Sequence, residues 1–297
     1  MTTTNEKLIH QKNTQLNTIM NKSDFQKPFL KWVGGKTQIA PSILYLFPKE
    51  INNYHELFLG GGSILLALLS LQKQNKITIK GKIYAYDINP TLIHVYKHVQ
   101  TNKDELFACI SQYIEMYASI TGTAINRKPQ TIQQATTSKE SYYYWVRQKF
   151  NNMDKASLEC AAIFIFLNKT CFRGMYREGP NGFNVPYGHY KTTPTIITKQ
   201  ELDVISDLIK NVEFACMDFN ESMKNVDAND FMYLDPPYAP ETSNSFVGYT
   251  SDGFSLDTHK KLFESIKEAH FNKKLFIMSN AKVDLVQKYF NGFKAQE

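Results

Sequence analysis

The feature that most limits the fold is an alternation of apolar strands with helices, seen over residues 54–100 and again over residues 212–280. In the first stretch Tyr54–Leu59 reads as a strand, Gly60–Gly62 as a turn, and "SILLALLSLQ" as a helix that Ser63 begins or caps. "KIYAYDIN" (82–89) is a second strand ending on Asp87, and Pro90 lies near the first turn of the next helix. The second stretch holds the strands "VEFACMDF", "DFMYLD" and "KLFIMSN", with the helix "SLDTHKKLFESIKEA" before the last. The expected fold is therefore α/β, a doubly wound, Rossmann-like mixed sheet of the nucleotide-binding kind.

Between these stretches, residues from roughly 100 to 200 read as helical or irregular. The chain thus divides into a weakly ordered polar arm (1–24), a core from 25–100 and 205–297, and a helical insert (101–204). The arm lacks an apolar stretch, so no secretory signal is expected, and "SILLALLSL" (63–71) is too short to span a bilayer. Cys109, Cys160, Cys171 and Cys216 are widely spaced without a CxxC pair, and the seven histidines show no ligand spacing. The expectation is a reducing, cytoplasmic setting with no metal and no membrane.

The chemistry starts at the glycines. Without side chains, "FLGGGS" lets the backbone approach a ligand at the carboxyl end of its strand, where open α/β sheets bind ligands. The spacing is not that of a pyrophosphate loop, because Ser63, Ile64 and Leu65 follow the third glycine. S-adenosylmethionine, which has no pyrophosphate, fits, and Asp87 lies where a carboxylate would hold ribose hydroxyls. A tight structural turn and a helix-capping aspartate would account for these residues as well.

"YLDPPYAP" (233–240) is more specific. Proline lacks a backbone donor, so the strand must stop at Pro236 and Pro237, directly behind a carboxylate. The exocyclic amine of adenine is a poor nucleophile, because its lone pair is spread into the ring. Alkylating it takes acceptors that draw its N–H bonds and hold the nitrogen facing an electrophile. Asp235 supplies carboxylate oxygens, Pro236 supplies a carbonyl, and Pro237 stiffens the turn so that the two converge. Tyr238 offers a face on which a base flipped out of the duplex can stack.

In order along the chain, "PFLKWVGGK", "ELFLGGGS", "YAYDIN", "FNVPYGHYK", "YLDPPYAP" and "LFIMSN" resemble the DNA adenine methylase family of S-adenosylmethionine-dependent N6-adenine methyltransferases. The restriction–modification branch that acts on GATC is the nearest in pattern, from about Phe25 to about Phe290. The resemblance implies a methyltransferase core with a target-recognition insert, double-stranded DNA as substrate, and a cognate restriction endonuclease as partner. It places Trp32, Lys36, Asp87 and Asp235 at cofactor-contacting positions, with Phe58, Gly60, Gly62 and Ser63 lining the cofactor turn. It also places Lys31 against guanine, and Asn184, Pro186 and Tyr187 in the recognition segment. Members of the family continue past the helix matching "VDLVQKYF" into further strands. This chain closes at "NGFKAQE", so the last strands of the sheet are expected to be missing.

Residues 139–199 carry nine Lys and Arg against four acidic residues, so most of the formal charge of +6 sits in one part of the chain. Phosphate neutralisation calls for such a concentration, although a solvated helical face would carry it too. Arg173 and Arg177 flank a glycine bend, where an arginine can donate two bonds to guanine; Arg177 is preferred and Arg173 stays open. Arg147 and Lys149 are expected on phosphates. Tyr142–Trp145 are expected in packing, since consecutive aromatics on a helix point different ways. Two alternatives stand beside the DNA methyltransferase: a methyltransferase acting on RNA or a protein amide, and a DNA-binding relative impaired in catalysis.

Overall fold

The computed structural model describes residues 25–240 and 254–296, so the expected arm lies outside the described residues. In chain order the elements are α1 (Ala40–Tyr45), β1 (Glu50–Ile51), β2 (Tyr54–Glu56), α2 (Ser63–Lys73), β3 (Thr78–Ile79), β4 (Ile83–Asp87) and α3 (Pro90–Thr101). The insert follows with α4 (Lys103–Ser119), α5 (Ile132–Ala135), α6 (Lys139–Asn151), α7 (Leu158–Thr170), β5 (Glu178–Gly179) and β6 (Gly182–Phe183). The chain then gives α8 (Lys199–Ile209), β7 (Val212–Cys216), α9 (Phe219–Lys224), β8 (Phe231–Leu234), α10 (Leu256–Phe271), β9 (Leu275–Met278) and α11 (Asp284–Tyr289).

Five strands form one sheet in the order β7-β4-β2-β8-β9, and every pairing is parallel. The sheet expected to be mixed is thus purely parallel among the described residues, with β9 at its edge. From β2 the chain moves outward to β4 and β7, then crosses back to β8 and β9. The order therefore reverses between β2 and β8, and a crevice opens at the carboxyl ends of strands that diverge in this way.

Side chains alternate across the sheet, as a strand requires. Phe231 and Tyr233 join the larger apolar cluster with α2, α3 and α8, whereas Met232 and Leu234 join a second cluster with α9 and α10. Burial on both faces explains why β8 reads "FMYL" with no charged residue. In α2, Ser63 to Leu71 are buried without interruption, as are Cys160 to Asn168 in α7. A helix with no polar stripe belongs in the interior. α7 accordingly packs on α3, α4 and α6, so the insert and the sheet share one continuous apolar cluster.

At the amino ends of the strands, buried Asp230 accepts from Asn52 Nδ2 (3.0 Å), Asn53 Nδ2 (2.9 Å) and the Asp227 amide (3.0 Å). His55 Nε2 lies 3.1 Å from Oδ2, the oxygen that the Asp227 amide also bonds, and burial pushes the His55 imidazole below its ordinary pKa. These bonds tie the start of β8 to the loop before β2, which sets the register of the crevice at the other end.

Candidate active site and recognition face

After β2 the chain closes the glycine turn with a bond from the Gly62 amide to Leu59 O (2.8 Å). Gly60 (φ 49°) and Gly62 (φ 69°) adopt left-handed conformations that disfavour side chains. Space forbids them as well: a Cβ on Gly60 would lie 2.8 Å from Trp32 Cδ1, and one on Gly62 would lie 2.5 Å from the Tyr96 hydroxyl. Trp32 therefore covers the turn while stacking on Tyr176 (5.8 Å) and Phe164 (6.4 Å). Ser63 opens α2 with its Oγ 3.4 Å from Thr37 Oγ1, and Phe58 stacks on Phe219 (6.1 Å). Asp87, ending β4, accepts from the Gly60 and Asn89 amides at 2.9 Å each. Burial raises its pKa, against the pull of those amides. Beside it Ile88 (59% exposed) and the exposed Met217 form an apolar rim.

Asp235 follows β8 and faces the same crevice. Lys36 Nζ lies 2.7 Å from each carboxylate oxygen, but only the contact to Oδ2 has hydrogen-bond geometry. Buried Oδ1 has no hydrogen-bond partner among the described residues. Burial raises the Asp235 pKa, with Lys36 opposing it. Lys36 also donates to Gly34 O (2.6 Å) and lies 4.7 Å from the centre of the Tyr238 ring. The loop behind Asp235 is anchored from below. His259 Nε2, buried on α10, sits 3.0 Å from Pro237 O, and the Ala239 amide donates to Asn280 Oδ1 (3.0 Å). Pro236 is buried and the Tyr238 ring is exposed. Glu56 pairs in register with Tyr233, so it shares a sheet face with Asp235. Burial pushes its carboxyl up to about 8, although the Tyr54 hydroxyl donates to it at 2.7 Å.

The face that carries the residues expected to recognise DNA is held by Asn168, a buried amide near the end of α7. It accepts from the Lys31 amide (2.8 Å) and donates to the Lys31 carbonyl (2.7 Å). The Lys31 ammonium lies 4.7 Å over the Tyr190 ring. Gly174 must be glycine here, since its φ is 66° and a Cβ would meet Lys31 Cβ at 2.3 Å. Arg173 is exposed with φ 56°, a conformation sparsely used by residues with side chains. β5 and β6 form a hairpin with a two-residue turn. At its base Arg177 Nε donates to Asn184 Oδ1 (2.6 Å), and the Asn184 amide donates back to Arg177 O (3.1 Å). Pro186 is exposed and its carbonyl accepts from the Phe172 amide (2.8 Å), while the Tyr187 and Tyr117 hydroxyls meet at 2.6 Å. Arg147 points inward: Nη1 donates to Val185 O (3.0 Å) and the guanidinium lies over Tyr144 (4.7 Å). Lys149 pairs with Glu159 (2.6 Å).

Residues 32–297 match the D12 class N6 adenine-specific DNA methyltransferase family. The chain belongs to this family. A type II methyltransferase of Methanocaldococcus jannaschii is 37% identical over 281 residues, which cover 91% of this chain and 90% of the relative. A type II methyltransferase of Lactococcus lactis subsp. cremoris is 31% identical over 274 residues, covering 90% and 85%. A DNA adenine methylase of Haemophilus influenzae is 31% identical over 271 residues, covering 90% and 84%.

In this D12-class methyltransferase the residues expected for cofactor and catalysis come together in one crevice, and Arg173, Arg177, Asn184, Pro186 and Tyr187 lie along the insert, with Lys31 of the core bonded to its Asn168. Sequence reasoning missed Glu56, Asn168, His259 and Asn280. Glu56 and Asn168 each leave a signal, a polar residue inside the apolar runs "NYHELFL" and "AAIFIFLNKT". His259 and Asn280 leave none, because their partners are far along the chain. Among the described residues no group of His, Cys, Asp and Glu is arranged to hold a metal, and no helix is long and apolar enough to cross a membrane.

Proposed function

We propose that this adenine-specific DNA methyltransferase uses S-adenosylmethionine to methylate N6 of an adenine flipped out of duplex DNA, within GATC. The observation that carries the reading is the crevice itself, where Lys36 joins the Asp235 carboxylate to the exposed ring of Tyr238 and no donor bonds to Asp235 Oδ1, next to the glycine turn and Asp87. The cofactor supplies an electrophilic methyl group on a sulfonium. The residues present suit it: beside the glycine turn Asp87 would hold ribose hydroxyls, and the rim of Ile88 and Met217 would flank its adenine ring. Phe58, Ser63, Trp32 and Lys36 border the same turn.

Asp235 and the Pro236 carbonyl would accept the N–H bonds of the target amine, fixing its orientation and favouring the positive charge that grows there. Tyr238 would stack on the base. Once methylated, the amine is acidic and loses its proton to solvent. Arg177, oriented by Asn184, would read guanine, with Lys31, Arg173, Pro186 and Tyr187 around it. A cytoplasmic site of action and a cognate restriction endonuclease complete the proposal, in keeping with the type II names of two relatives.

The test is methyl transfer from labelled S-adenosylmethionine to duplexes with one GATC or with each of its positions changed, followed by digestion to nucleosides. N6-methyladenine on GATC alone is the expected result. Methyladenine at another sequence would replace the target and keep the clamp, and absence of transfer from a duplex that still binds would overturn the reading.

A further inference from the structure

Lys36 stands where the target amine has to go. Its ammonium lies 2.7 Å from both Asp235 oxygens and 4.7 Å from the centre of the Tyr238 ring. The base clamp proposed above consists of that carboxylate and that aromatic face. A flipped adenine needs Asp235 as an acceptor, and its nitrogen becomes cationic as the methyl arrives. An ammonium between carboxylate and ring takes away the acceptor and repels the growing charge. With Lys36 only 8% exposed, water does little to weaken that repulsion.

The ammonium can nevertheless be drawn off. One donor goes to Asp235 Oδ2 and one to Gly34 O, while the contact to Oδ1 lacks hydrogen-bond geometry. The side chain hangs from an exposed turn in which Gly34 has φ 79°. Drawing it off takes an anion, and two classes of anion come with the substrates: the carboxylate of the cofactor and the phosphates beside the flipped base. The turn borders the cofactor side, because a Cβ on Gly35 would lie 3.4 Å from Ser63 Oγ and Thr37 Oγ1 is 3.4 Å from the same atom. We infer that Lys36 keeps the base clamp closed until the carboxylate of the cofactor takes its ammonium, so that cofactor must bind before adenine can enter. The inference rests on the proposed function.

The experiment keeps the target adenine and follows the thymine opposite it, which permanganate oxidises once its partner has left the base stack, in a duplex that the wild-type enzyme methylates. Signals are compared with no ligand, with S-adenosylhomocysteine, and with methylthioadenosine, which lacks the carboxylate; binding of the duplex is followed in parallel by anisotropy. Wild type should flip the base roughly tenfold more with S-adenosylhomocysteine than in the other two conditions, the scale of one lost charged hydrogen bond. Lys36→Met should flip it equally in all three, and Lys36→Arg should keep the dependence. Flipping by wild type with duplex alone would assign the release to phosphate and overturn the inference. So would equal flipping with methylthioadenosine, or a Lys36→Met enzyme that keeps the wild-type dependence. Lys36→Gln replaces Lys36→Met should circular dichroism show the latter unfolded. The proposed function is judged separately: no N6-methyladenine from wild type sinks it, whereas product together with ligand-independent flipping sinks only the gate.

Discussion

Asp235 and Arg147 are both charged residues beside aromatic rings, and they end in opposite situations. Asp235 is half-buried at the carboxyl end of β8, with Lys36 beside its carboxylate and no hydrogen bond to Oδ1. Arg147 lies on the basic insert with its guanidinium already bonded to Val185 O and stacked on Tyr144. The contrast extends to their neighbours. In the crevice a few desolvated charges keep bonding capacity in reserve. On the insert Lys149 is paired with Glu159, and Lys31 of the core covers Tyr190, so several cations already hold the protein together. An excess of positive charge along a segment is therefore not a count of cations available to phosphate.

The strongest way to break this comparison is Asp235→Ala. Methyl transfer should fall by on the order of 10²–10³-fold or more, with duplex affinity nearly unchanged; wild-type turnover in that variant would show that the carboxylate does nothing. Next come the two arginines. Arg177→Met should lower discrimination at one guanine by roughly tenfold to hundredfold without moving the melting temperature. Arg147→Met should do the reverse, costing about 1 kcal/mol of stability and leaving the preferred sequence alone. Methylation rates on single-position variants of the duplex, beside thermal melts, separate the two.

Asn168→Ala should cost about 1–3 kcal/mol by denaturant unfolding, because it strips the Lys31 amide and carbonyl of their partner. The last effect is a slope with pH. Glu56 titrates at about 8 in the folded chain against an ordinary 4.5, so the folded state binds its proton more tightly. Its contribution to stability is therefore full at acid pH and declines as pH rises from about 4.5 to about 8. Glu56→Gln should gain on wild type across that window, and urea midpoints at pH 5 and 8 that shift in parallel for both proteins would refute the buried proton.

What could be read in advance follows from how far each signal reaches. β2, β4, β7 and β8 are largely apolar runs closed by glycine, proline or a carboxylate, and β9 is an apolar run closed by Ser279 and Asn280, so a few neighbouring residues declare them. Strands of two residues such as β1 and β5 show no periodicity and stayed hidden. Asp235, Asp87 and the glycine turn were legible because their chemistry and their strand ends coincide. Lys36 and Lys31 came from resemblance, since nothing near them in the chain marks a single lysine as special. The inward turn of Arg147 depends on Val185, and the grip of Asn168 on Lys31 spans 137 residues. No local pattern records contacts of that reach.

The place of β2 in the sheet has a consequence for synthesis. β2 is the earliest strand of the sheet to leave the ribosome and yet occupies its middle, with β4 on one side and β8 on the other. Asn53 and Asp230, which join the two strands, are 177 residues apart, so at about 5–20 residues per second the open flank of β2 waits on the order of ten seconds or more for its mate. During that wait an unpaired parallel edge is presented to the cell, the kind of surface that invites mispairing. Lys36 and Asp235 meet across 199 residues, so a nascent chain has no crevice in which a base could be held. Modification of DNA thus begins only when the central strand has both its neighbours.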